Sequence, residues 1–124
     1  MTADKILIVD DNKVFVEELK ESLFMFGYDA SGISDSAGAS SLARRIRPDV
    51  ILLDLKMAGS NGFQVAEDLK LHKETSNIPI IVMSGYFPIE NRSALLDMSL
   101  MDRRIKKPFS ISDLLTEIES VLNK

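Results

Sequence analysis

Five side chains in this 124-residue chain could do chemistry together: Asp10, Asp11, Asp54, Ser84 and Lys107. Each stands at the end of a short run of strand-like residues. Asp10 and Asp11 close KILIVDD, Asp54 closes DVILLD, Ser84 and Gly85 close IPIIVMSG, and Lys107 with Pro108 closes the more polar DRRIKKP. Three carboxylates brought together repel one another unless protons or a cation offset the charge. Only oxygen donors are on offer, which suits a hard divalent cation such as Mg2+, with Mn2+ as a substitute. A phosphoryl group in transfer spreads negative charge over three oxygens. A cation, an ammonium and a hydroxyl donor around one carboxylate are what that transfer needs. Asp54 is then the candidate nucleophile, forming an aspartyl phosphate. Singly, an aspartate at a strand end is what a helix cap looks like. The signal is the constellation of five positions in four loops of one pattern.

The elements that must position these residues alternate. Lys5 to Val9, Asp49 to Leu53 and Ile78 to Met83 are apolar runs expected as strands buried on both faces of a parallel sheet. Phe15, Leu19, Leu23 and Phe26 recur at helical spacing, with Asp11 or Asn12 as cap and Gly27 as the stop. Tyr28 to Ile33 reads as a strand. Asp35 to Arg47 reads as a helix with Leu42, Ala43 and Ile46 inward, ended by Pro48. A loop through Asn61 and Gly62 follows Asp54. Phe63 to His72 and Ile89 to Met98 then read as amphipathic helices. Ser110 and Asp113 start a last helix whose apolar stripe is Ile111, Leu114, Leu115, Ile118, Val121 and Leu122. Five β–α alternations with short loops predict a parallel sheet covered on both faces, a (βα)5 flavodoxin-like three-layer sandwich. In such a fold the functional crevice lies outside the carboxyl ends of the strands, where these five residues stand.

Composition narrows the class. The length fits one domain, expected over residues 1–124 with no linker or repeat, and 45% hydrophobic residues suffice for one core. The net charge of −4 argues against direct binding to nucleic acid. There is no cysteine for a disulfide or thiolate metal site, and no apolar run long enough to span a membrane, so the expected location is cytoplasmic.

These residues resemble the two-component response-regulator receivers, and the resemblance covers essentially the whole chain. It rests on the acidic pair in VDD, on Asp54 in LLDLKM with Gly62 eight residues later, on Ser84 in VMSG and on Lys107 in KKPF. The resemblance implies a five-stranded sheet in the order 2-1-3-4-5. It implies that Asp11, Asp54 and the backbone carbonyl of Lys56 ligate Mg2+, with Asp10 acting through a bound water, and that Ser84 and Lys107 hold phosphoryl oxygens. It also implies a histidine kinase or histidine phosphotransfer protein as donor, a downstream effector protein as reader, and a monomer or weak homodimer. Such a domain catalyses only its own phosphorylation and dephosphorylation and is not an enzyme in the ordinary sense.

The chain departs from that family pattern in places. Three positions before Lys107 the family usually carries an aromatic residue, and here Arg104 stands there. Arg103, Arg104 and Lys106 suit an edge strand protected by charge, with an acidic partner site as the sharper reading. Leu100 and Met101 replace small residues, Ala58 replaces a common proline, and Tyr86, two past Ser84, is expected to slow attack by water on the acyl phosphate. The lone His72 is assigned no role, and the six methionines are read as core filling. Two other functions compete with the switch. A haloacid-dehalogenase-like phosphatase needs an acid two residues after its nucleophile, where this chain has Lys56. A degenerate receiver would bind a partner without phosphorylation, and the presence of all five site residues argues against it.

Overall fold

The computed structural model describes residues 3–57, 60–85 and 102–122. Five strands form one parallel sheet: β1 (Lys5–Val9), β2 (Asp29–Ile33), β3 (Val50–Asp54), β4 (Ile80–Ser84) and β5 (Arg103–Lys106). Their order is β2-β1-β3-β4-β5, as expected. The chain leaves β1 toward β2 on one side and returns to β3 on the other, so the reversal falls between β1 and β3. All five strands are parallel, so Asp10, Asp54, Ser84 and Lys107 come out at the same edge.

Continuous apolar runs bury both faces of the central strands. Ile6, Ile8, Leu52 and Met83 pack with Val16, Leu19 and Leu23 of α1 (Lys13–Met25) and with Leu114 and Ile118 of α4 (Ile111–Leu122). Leu7, Val9, Ile51, Leu53, Ile80 and Val82 pack on the opposite face. Their partners are Ala39 and Ala43 of α2 (Ala39–Ile46) and Val65, Ala66 and Leu69 of α3 (Gly62–Leu71). Each such side chain removed from water contributes about 1.5–3 kcal/mol, so the middle of the sheet is the firmest part of the fold.

Several boundaries differ from the sequence expectation for local reasons. Asn12, not Asp11, caps α1 by accepting the Phe15 N–H at 3.1 Å. Val16 joins Leu19 and Leu23 on the buried face of α1, while Phe26 lies past the helix as its C-cap and is exposed. Gly27 follows in the left-handed region at φ 89°, a conformation glycine adopts without strain. Asp35 caps a 3₁₀ turn at Ser36–Gly38 rather than an α-helix, and the helix begins only after Gly38, whose propensity is poor. It ends where Pro48 forces the preceding residue out of helical space, and Arg47 takes φ 48°. The stretch expected as a loop after Asp54 contains a small antiparallel ladder, with Lys56 opposite Asn61 and Met57 opposite Ser60. Gly62 is then the first residue of α3. Ser110 accepts the Asp113 N–H at 3.0 Å at the start of α4, as its spacing predicts. The helix expected at 89–98, and Ala58, Tyr86, Leu100 and Met101, lie outside the described residues.

Candidate functional site

Four carboxyl-terminal strand ends build the site. Asp10 follows β1, and its N–H continues the ladder to Ile33 O at 3.2 Å. Its side chain is 1% exposed, Oδ1 accepting the Asn12 N–H at 3.0 Å and Oδ2 lying 2.5 Å from Lys107 Nζ. Asp54 ends β3 beside Asp10, buried, with Oδ2 at 3.8 Å from the same ammonium. Asp11 is exposed at the mouth. One carboxylate oxygen from each of Asp10, Asp11 and Asp54 lies within 4.8 Å of the other two.

At that spacing two ionised carboxylates repel by about 3.5 kcal/mol at an effective dielectric near 20. Lys107 offsets part of the repulsion for Asp10 and Asp54 but leaves three carboxylates against one ammonium. The donors are all oxygens, without histidine or cysteine in the cluster, so the group fits a hard, small divalent cation.

Ser84 closes β4 one residue past Met83, the register partner of Asp54, and is 2% exposed. Its carbonyl accepts the Lys107 N–H at 2.8 Å, which ties the backbone of the hydroxyl donor to that of the ammonium donor. Lys56 lies two residues past Asp54 in the small ladder. The structure therefore brings together Asp10, Asp11, Asp54 and Lys107, and sets Ser84 and the Lys56 backbone in the adjoining segments. His72 lies just past α3, away from this cluster, with Nδ1 at 2.9 Å from Asp68 O.

Two features were not predicted from the sequence. A β-carbon at Gly62 would fall against Asp54 O and within 2.6 Å of Leu55 Cα, so the start of α3 can reach the strand carrying Asp54 only as glycine. The spacing of Gly62 from Asp54 was visible, but the close approach behind it is a tertiary fact. The second feature is aromatic. Lys107 Nζ lies 4.3 Å from the ring centroid of Phe15, and Phe109 meets that ring edge-on at 6.1 Å and 82°. Phe15 reads from the sequence as a core position, and the signal that could have marked it is Phe109, two residues after Lys107.

Known proteins share this fold and family. The family model for the response regulator receiver domain matches residues 6–119. The response regulator MprA of Mycobacterium leprae is 32% identical over 120 residues, 97% of this chain and 51% of that protein. The DNA-binding dual master transcriptional regulator RpaA of Synechocystis is 29% identical over 97% of this chain and 49% of its own length. The chain thus spans about half the length of these curated relatives. Among solved structures, the chemotaxis protein CheY4 of Vibrio cholerae superposes with a TM-score of 0.87 at 23% identity, covering 97% of this chain and 99% of that one. The receiver domain of the sensor histidine kinase PA1611 from Pseudomonas aeruginosa, with a magnesium ion coordinated in its active site cleft, also gives 0.87 at 23% identity, over 99% of this chain and 100% of that one. Among the described residues, no helix is long and apolar enough to cross a membrane.

Proposed function

The chain belongs to the response regulator receiver domain family, signalling domains of two-component systems, and on that premise we propose that Asp54 accepts a phosphoryl group from a phosphohistidine donor and thereby changes how the domain binds a downstream protein. The observation that carries this reading is the cluster of Asp10, Asp11 and Asp54 with Lys107 reaching both buried carboxylates.

The residues divide the work. Asp54, buried at the end of β3, offers a carboxylate oxygen to phosphorus. A P–O bond forms, the P–N bond to the donor imidazole breaks, and the imidazole nitrogen takes the electron pair. Asp11, Asp54 and the Lys56 carbonyl would hold Mg2+, with Asp10 acting through a bound water, and the ion would supply positive charge toward the phosphoryl oxygens and relieve the crowding of the carboxylates. The magnesium ion named for the active site cleft of the PA1611 receiver supports the choice of ion. Lys107 places its ammonium where a further phosphoryl oxygen gathers charge, and the Ser84 hydroxyl donates to another. Ser84 and Lys107 are joined through their backbones, so drawing either toward the phosphoryl group moves the ends of β4 and β5 together. A covalent charge then biases a two-state element. The product is a binding state, with autodephosphorylation as the return step. The donor is a histidine kinase or histidine phosphotransfer protein and the reader an effector protein. The charge of −4 argues that this domain itself meets proteins and not nucleic acid.

The test is intact mass after incubation with acetyl phosphate, with and without Mg2+, on the unaltered chain and on Asp54→Asn. One added phosphoryl group that requires both Mg2+ and Asp54 is the expected result. No gain, even with a histidine kinase as donor, would overturn this reading in favour of a receiver that binds its partner without phosphorylation.

A further inference from the structure

The ammonium of Lys107 is held from three directions, and only two of them are carboxylates. The third is the face of Phe15, at 4.3 Å from the ring centroid and well inside the range in which a cation is attracted by the negative face of an aromatic ring. We propose that Phe15, braced by Phe109, is a positioning residue that holds the Lys107 ammonium toward Asp10 and Asp54. The inference rests on reading Asp54 as the phosphoryl acceptor.

A closed circuit of contacts supports it. Asn12 donates its N–H to Asp10 Oδ1 at 3.0 Å and, through its side chain, accepts the N–H of Phe15 at 3.1 Å. The turn that orients Asp10 thus also fixes the helix start from which Phe15 projects. Lys107 bonds Asp10 Oδ2 and lies over Phe15, and Phe109 in the same segment meets Phe15 edge-on, the favoured arrangement for an aromatic pair. Each end of the platform therefore comes from a segment that already carries a site residue.

The chemistry explains why a ring suits this place. A third carboxylate or an amide oxygen at position 15 would hold the ammonium as well, but it would take a hydrogen-bond donor from the oxygens that Lys107 must reach. A ring attracts the charge without a lone pair, so the directional donors stay with Asp10, Asp54 and the arriving phosphoryl oxygens. Lysine is a flexible four-carbon stem with a point charge, and it gains more from such a constraint than a residue fixed by its own shape.

The test compares Phe15→Leu, which keeps apolar bulk without the ring, with Phe15→Tyr, which keeps the ring. In carbon–proton correlation spectra the Lys107 ε-methylene, assigned by its loss in Lys107→Met, is expected upfield of the other lysines. It should stay there in Phe15→Tyr and move back among them in Phe15→Leu. At saturating Mg2+ and limiting acetyl phosphate, Phe15→Leu is expected to take up phosphate roughly two- to fivefold more slowly, and Phe15→Tyr to restore the rate. Thermal unfolding of both variants separates this from lost packing. An unshifted Lys107 signal in the unaltered chain would overturn the inference. So would equal slowing in the two variants, or a Phe15→Leu rate equal to that of the unaltered chain. If the unaltered chain takes up no phosphate, the reading of Asp54 falls, while the spectra still decide whether the ring holds the ammonium.

Discussion

The two central strands and the edge strand supply opposite charges to one site, and they are held in very different ways. β1 and β3 each pair on both sides, and Ile6–Val9 and Val50–Leu53 are fully buried. Among the described residues β5 pairs on one side only, with β4, and of its four residues only Ile105 is buried. Its start is fastened by Asp102, whose N–H donates to Ile80 O at 2.9 Å while its carboxylate accepts the Ile80 N–H at 2.8 Å. The carboxylates therefore stand at the ends of deeply buried strands paired on both sides, and the ammonium just past a shallow edge strand. The switch proposed above would use that division, because the nucleophile must stay where the donor finds it while the strand ends that sense the new charge must be able to move.

The largest expected effect tests the rigid side. Leu52→Ala in β3 should cost about 3–5 kcal/mol by leaving a cavity at a fully buried site. The same change at Ile105, on an edge strand and 9% exposed, should cost about 2 kcal/mol. Urea denaturation of both variants measures the gap, and equal costs would break the contrast between centre and edge. Next comes the contact that joins the two halves. Lys107→Met leaves the buried Asp10 and Asp54 carboxylates without their ammonium, at a cost of about 3 kcal/mol when no divalent cation is present. Adding Mg2+ should recover stability, by about 1.4 kcal/mol for each tenfold excess over its dissociation constant. Melting that does not respond to Mg2+ would remove the cation from this site.

Much of this contrast was legible in the sequence. The runs KILIV, DVILL and IPIIVM have the continuous apolar character of strands buried on both faces, and DRRIKK breaks it, which placed it at an edge. Asp10, Asp11, Asp54 and Ser84 were legible for the same reason, because a strand end is easy to find when the strand is unbroken and apolar, whereas Lys107 ends the polar segment and stood out by its place before Pro108 and Phe109. Local competitions were harder to see. Whether Asn12 or Asp11 caps α1 depends on which side chain is otherwise engaged, and whether Asp35 starts an α-helix or a 3₁₀ turn depends on Gly38. The platform under Lys107 was hidden for a different reason. Phe15 fits the apolar spacing of α1, and periodicity alone does not separate a core ring from one that faces a cation 92 residues along the chain.

Gly62 sharpens the comparison from the rigid side at smaller scale. A methyl group there meets backbone of Asp54 and Leu55, neither of which is a flexible side-chain tip. Gly62→Ala should therefore cost about 1–3 kcal/mol, and because it pushes directly on the strand end carrying Asp54, it should also slow phosphate uptake. Unaltered stability together with unaltered uptake would mean that α3 can withdraw without disturbing β3, contrary to the rigidity assigned to that half.

The smallest expected effect is at Arg103, and it is the most direct measure of how loosely the edge is held. Arg103 lies on the first residue of β5, its guanidinium 2.5 Å from Ser120 Oγ and 3.9 Å from Glu117 Oε2 of α4. The side chain is 51% exposed, so solvent screens the pairing, and Arg103→Ala should lower global stability by less than about 1 kcal/mol. Its local effect should be larger than its global one, because these contacts help hold an outer strand that has no neighbour on its far side among the described residues. Native-state hydrogen exchange is expected to show faster opening of the β5 amides, with those of β1 and β3 unchanged. If the β5 amides exchange only with the whole domain, in the unaltered chain and in Arg103→Ala alike, the edge opens with the core, and the division between a firm centre and a looser edge strand does not hold.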